Sequence, residues 1–200
     1  MNQFDLLKSH IDAYTRKDGA VVQAHDDSRQ AAFTTSPFKH GGFQVKNGGK
    51  HHVILDDERF AKHHADVMNA VHAAGKSDAM ESAAKEAGKK HLGVNGFKEV
   101  GHDDDDFVDT GKVSTKRALE HAYNAGAGGN NPALRVHRDN SVKDAAKHFA
   151  NFDTLKEGGS DRKDFHDVSK RSLQLALHHA YANGHAAVNT ANNGSGSKNK

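Results

Sequence analysis

Histidine and aspartate give this chain most of its chemical reach. It has 17 histidines in 200 residues, several times the roughly 2% of an ordinary globular chain. Asp103, Asp104, Asp105 and Asp106, followed by Asp109, form its most acidic stretch. Paired histidines at His51-His52, His63-His64 and His178-His179 are of a type that binds zinc or nickel. Adjacent helical residues point about 100° apart, however, and no HExxH or HxxxH spacing places two imidazoles on one helical face. The aspartate run offers oxygens to a hard cation but lacks the alternating ligands, central glycine and terminal glutamate of a calcium loop. Tyr123 and Tyr181, near His121 and His179, have the parts of an acid–base pair, yet they recur at core spacing. GxSxG, Walker and dinucleotide fingerprints are absent. We assign no catalytic, cofactor-binding or metal residue and expect no cofactor.

The histidines carry a charge argument instead. Net charge is +2 with histidine neutral and would reach +19 with all 17 protonated. A scattered set of this kind reads first as polar filler on exposed helix faces and second as a pH-sensitive or anion-binding surface.

The elements that must position these residues begin with a duplication. Shifted by 58 positions, residues 106–126 fall on 164–184 with Asp106, Phe107, Asp109, Lys112, Ser114, Ala118, Leu119, His121, Ala122, Tyr123 and Gly126 unchanged. That is about half of the positions, against one or two expected by chance. Leu173, Ala176, Leu177, Ala180 and Tyr181 follow i, i+3, i+4, i+7, i+8 spacing, and the earlier copy keeps register, so each ends in an amphipathic helix. Gly126 and Gly184 read as left-handed helix stops. Phe107, Leu119, Tyr123, Phe165, Leu177 and Tyr181 are the expected packing residues. Asp106 and Asp164, or Asp109 and Asp167, are expected to lead into the helices. Upstream, Ala83-Ala84-Lys85 and Ala145-Ala146-Lys147 mark a first helix in each unit and imply a loop four residues longer in the first copy. Leu92, Val94 and Phe97 would anchor the first loop, and Phe152 and Leu155 the second.

Ahead of the repeats, Phe4, Leu7 and Ile11 are spaced for a short helix. Tyr14 and Val21-Val22 flank Asp18-Gly19 as a small hairpin, and Phe43 to Lys46 and His51 to Leu55 flank Asn47-Gly48 as a second. Phe60, His64, Val67, Met68 and Val71 form one stripe of a helix that would cover this sheet, with His64 a hydrogen-bonded core residue. The fold class is mainly α (α+β), a small N-terminal β-hairpin module followed by a duplicated helix–loop–helix unit. The expected divisions are 1–55 for the β-containing module, 56–76 for a connecting helix, 77–131 and 132–190 for the two units, and 191–200 for a disordered tail.

The Tyr14–Asp27 stretch, an aromatic residue followed by Arg16-Lys17-Asp18-Gly19, then valine, then His25, resembles a short element near the N-termini of various bacteriophage and plasmid-borne proteins. These include virion-associated and antirestriction-type polypeptides. The resemblance covers residues 14–27 and implies a mobile-element origin, with Arg16, Lys17, Asp18, Gly19 and His25 as a docking element.

Hydrophobic content of 35%, 19 glycines and no tryptophan predict thin, alanine-based cores. The absence of cysteine excludes disulfides, a thiol nucleophile and cysteine-ligated zinc. No 18-residue apolar run is present, and the first residues lack the apolar region of a signal peptide, so we expect no membrane partner and a place in the virion or host cytoplasm. Lys112, Lys116 and Arg117, Arg135 and Arg138, and Arg162, Lys163, Lys170 and Arg171 could meet phosphates, but aspartates interleave with most of them. The leading reading is a non-enzymatic structural or interaction protein of a bacteriophage or mobile element, virion-associated in one form. It would associate with itself or with another such protein. The alternatives are a nucleic-acid-associated protein and, behind it, a metal-dependent hydrolase.

Overall fold

In a computed structural model of the chain, residues 32–99, 106–156 and 164–195 are described, 192–195 as backbone only, together with the backbone of four short strands nearer the N-terminus. The chain divides into two compact units, Met1–Gly75 and Lys76–Lys200, and is mainly helical α+β.

In the first unit, β1 (Ser9–Ile11) pairs antiparallel with β4 (His25–Asp27), and β2 (Tyr14–Thr15) with β3 (Val21–Val22). Both ladders share one register, Ile11 opposite His25 and Tyr14 opposite Val22. Tyr14 and Val22, expected to flank a hairpin, are therefore paired, but Ser9 to Ile11 is strand rather than the expected helix. Residues 1–8 and 16–20 lie outside the described residues, and His25 is described as backbone only.

A three-stranded antiparallel sheet follows: β5 (Phe33–Pro37), β6 (Phe43–Asn47) and β7 (Lys50–Leu55). The β6–β7 turn is Gly48-Gly49, one residue on from the expected Asn47-Gly48, and holds them at φ 55° and 81°, the left-handed conformations that a two-residue hairpin turn needs. β5, Phe33-Thr34-Thr35-Ser36-Pro37, has one large apolar residue and so carries no alternating pattern that would mark it as a strand. The first helix, α1 (Glu58–Ala73), lies against all three strands. It is thus part of the first unit and not a connector. Asp57 caps it, its carboxylate accepting from the Phe60 amide at 2.9 Å. Asn69 fastens α1 to β5: its carbonyl accepts from Phe33 N–H at 2.7 Å and its amide donates to Phe33 C=O at 2.9 Å. Phe60, His64, Val67, Met68 and Val71 are all buried, as their spacing requires.

The second unit holds both repeats. The first copy runs α2 (Ser77–Ala87), a π-helical turn Gly88–Leu92, β8 (Phe107–Gly111) and α3 (Lys112–Gly126). The second runs α4 (Arg135–Ala150), β9 (Phe165–Ser169) and α5 (Lys170–Ser195), with a 3-10 turn Pro132–Leu134 between the copies. The first helix with its π turn spans 77–92, which shifted by 58 is the 135–150 of α4. The left-handed residues that end these segments, Gly93 and Asn151, correspond as well, as do the buried Val94 and Phe152 behind them. The 58-residue offset is therefore unbroken, and the expected four-residue loop difference is corrected. The two Ala-Ala-Lys triplets sit about one helical turn apart in the true alignment, so each occupies a similar face and the mismatch is invisible to periodicity.

The copies pack reciprocally. α3 lies against α5 over the most extensive interface in the unit, and β8 pairs antiparallel with β9. Asp109 stands opposite Asp167, its own counterpart; Phe107 pairs with Ser169 and Phe165 with Gly111, again counterparts exchanged. Gly126 and Gly184 repeat the relation. A methyl group built on Gly126 would overlap the Tyr181 carbonyl, and one on Gly184 the Tyr123 carbonyl. The two copies are thus related by a local pseudo-twofold axis. The expectation that these glycines stop helices is corrected: Gly126 is the last residue of α3, followed by an αR cap at Ala127, and Gly184 lies inside α5. Their missing side chains let two helix backbones touch. α5 continues through Ser195, so helix replaces part of the expected disordered tail.

Candidate interaction site

Strand alternation sorts the side chains of β8 and β9 onto two faces. Val108, Thr110 and Val168 turn inward, and His166 on the same face is exposed while its ring meets Phe152 edge-on at 4.8 Å. Thr110 and Thr115 share a buried hydroxyl hydrogen bond of 3.1 Å. The other face presents Phe107, Asp109, Phe165 and Asp167, all exposed. The two rings are 50% and 51% exposed, and that of Phe165 lies over Gly111 of the facing strand. Leu119, Tyr123, Leu177 and Tyr181, by contrast, are buried where α3, α4 and α5 meet.

Where each copy's strand gives way to its helix, the copies are cross-tied. Lys112 at the start of α3 donates to the Asp164 carboxylate at 3.0 Å, a buried pair joining the first copy to the second. Their counterparts in the duplication are Lys170 and Asp106. A small cavity of about 310 Å³ lies beside β8, lined by Gly93, Val94, Asn95, Gly96, Phe107, Val108 and Lys170.

Away from the ribbon the copies have diverged. On one side Glu81 of α2 reaches across to α5, accepting from His178 Nε2 at 2.9 Å and from Gln174 Nε2 at 3.2 Å. The His178 hydrogen bond, opposed by burial and reinforced by charge from His178 and Lys85, holds the Glu81 carboxyl down to about 2. Phe97 packs over Gly88, where a methyl would come within 2.6 Å of its ring. In the other copy the corresponding residues are Asp139, Lys116, Glu120, Leu155 and Ala146. Asp139 is one methylene shorter and accepts from Arg138 beside it at 3.2 Å, and Lys116 faces Glu120 along its own helix at 3.9 Å. No bridge crosses among these residues, and a groove of about 550 Å³ stands open there, with Val142 and Leu155 among four lysines and four acids.

The remaining chemical candidates resolve into structural pairs. His52 and His64 meet Nε2 to Nε2 at 3.2 Å, with His64 fully buried. His51 bonds Gln44 at 2.9 Å, and His179 bonds Asn183 at 2.9 Å within α5. Tyr123 Oη meets His137 Nδ1 at 2.8 Å, and burial raises the phenol above its ordinary range. His121 lies 3.5 Å from Glu86. Among the described residues, no three His, Asp or Glu side chains are placed to hold one metal ion, and no helix is long and apolar enough to cross a membrane. Of the basic clusters, Lys112 is buried against Asp164, Arg138 is held by Asp139 and Asn130, and Arg171 bonds Gln174. Arg162 and Lys163, like Arg16, Lys17, Asp18 and Gly19, lie outside the described residues. Sequence reasoning missed the ribbon face because Phe-x-Asp followed by a helix reads as a helix start. The available signal was the period-two spacing of Phe and Asp shared by two short segments, FVDTG and FHDVS.

A family described as a family of unknown function (DUF6900) matches residues 75–141 and again residues 137–188. The chain belongs to that family. The first match covers the first copy and runs into α4, the second lies within the second copy, and together they span the second compact unit from its start to within α5. No curated protein matches the chain, and no solved structure does.

Proposed function

We propose that this chain is a non-enzymatic interaction protein and that the outer face of the β8–β9 ribbon is its docking surface. One observation carries the reading: the same phenylalanine stands in both copies, Phe107 and Phe165, and is half-exposed in both. A large apolar side chain kept in duplicate with half of its surface outside the core offers that surface to other molecules, and contact with a partner is the use that exposure serves. The mobile-element origin rests on the resemblance of residues 14–27, and in that setting the partner is another virion or mobile-element protein or a further copy of this chain. Nucleic-acid association is the second reading; it is disfavoured by the carboxylates set between the two rings, since phosphate would meet like charge there.

The test is light scattering after size-exclusion chromatography of the full chain, with EDTA and with a short DNA duplex, for the wild type and for F107S/F165S. A discrete assembly indifferent to EDTA and DNA, and lost in the double variant, supports the reading. A monomer that shifts only with DNA, or unfolds in EDTA, overturns it in favour of the corresponding rival.

A further inference from the structure

Between the two phenylalanines lie Asp109 and Asp167, directly opposite one another in the antiparallel register. Like charges at such a position disfavour the pairing that the ribbon depends on. Neither carboxylate makes an ion pair among the described residues, and Lys112, close in sequence, is already engaged with Asp164. Lys170, the counterpart of Lys112, lines the small cavity with Phe107 and Val108. The duplication has nevertheless kept this aspartate in both copies, at the point where the pseudo-twofold relation makes the two residues meet.

We propose that the ribbon face docks a basic, arginine-bearing segment of a partner protein. This rests on the reading of the face as an interaction surface and adds the partner's chemistry. Two carboxylates side by side match the forked donors of a guanidinium, and the flanking rings offer faces on which that planar cation can lie. Arginine satisfies both features at once. Lysine supplies the charge without the planar stack, and an acidic segment would add a third negative group to the repelling pair. The pseudo-twofold arrangement offers the same Phe-x-Asp unit from both directions along the ribbon, so a segment with two arginines could engage both ends.

The experiment is fluorescence anisotropy of the full chain with labelled (Arg-Ala)4, (Lys-Ala)4 and (Glu-Ala)4 peptides, using wild type, D109N/D167N, F107A/F165A and, as a control on exposed acids of the first unit, D56N/D66N. Each variant is first checked for an unchanged helical circular dichroism spectrum. The expected result is binding in the order arginine, lysine, glutamate, weakened at least tenfold in both ribbon variants and less than twofold in the control. Equal weakening in the control, or no effect of D109N/D167N, overturns the proposal. If F107A/F165A abolishes self-association while none of the peptides binds, the docking face stands and its arginine partner falls. If F107A/F165A changes neither peptide binding nor assembly, both fall.

Discussion

At the scale of single residues, the Lys112–Asp164 pair is the interaction with the clearest energetic sign. Both groups are about nine-tenths buried, so removing Asp164 leaves the Lys112 ammonium buried without this carboxylate. Asp164→Leu should destabilise the chain by about 3–5 kcal/mol, while K112M/D164L, which removes both charges, should recover most of that loss. Urea denaturation of the two variants reads the difference. Glu81 gives a pH test. Its carboxyl is held at about 2 against an ordinary 4.5. Its contribution is therefore fully present above about pH 4.5 and lost as pH falls through that window toward 2. Glu81→Gln should lower stability at pH 7, and the gap to wild type should close as the pH is taken from 4.5 to 2.5.

At the scale of elements, glycine placement decides how closely the two copies approach. Gly126→Ala or Gly184→Ala forces a methyl into a facing helix carbonyl, and each should cost about 3 kcal/mol or more. Gly96→Ala, with open space around the added carbon, should stay within about 0.5 kcal/mol. Thermal denaturation of the three variants separates a helix contact from a generic effect of glycine replacement. Gly88 and Phe97 test the unbroken offset between copies, because the second copy places Ala146 and Leu155 there. Gly88→Ala alone should be destabilising, and G88A/F97L should recover part of the loss, a coupling of about 1 kcal/mol in a double-mutant cycle. Absence of coupling would speak against the 58-residue alignment of the first helices.

For the whole molecule, the 17 histidines matter less through their total charge than through the few whose neighbours disfavour protonation. Burial first, then the charges of His121, Lys90 and Arg117, lowers His91; burial and then Lys76 lowers His185. The unfolded chain binds these protons near pH 6.5 and the folded chain only at lower pH. Stability should therefore fall as pH drops below about 6.5. Thermal midpoints measured from pH 7.5 to 5 should decline, and H91Q/H185Q should flatten the decline. What the sequence determined by itself is what repeats or alternates locally. The duplication, the buried stripes of α1, α3 and α5 and the β6–β7 hairpin follow from identities and spacing within one segment. Whether Phe107 and Phe165 are buried, whether Gly126 and Gly184 end a helix or admit one, and that Asp109 meets Asp167, depend on which surface the other copy presents. Those contacts join residues about 58 positions apart, and tertiary packing alone decides them, because a side chain's solvent exposure is set by what lies across from it and not by its neighbours along the chain.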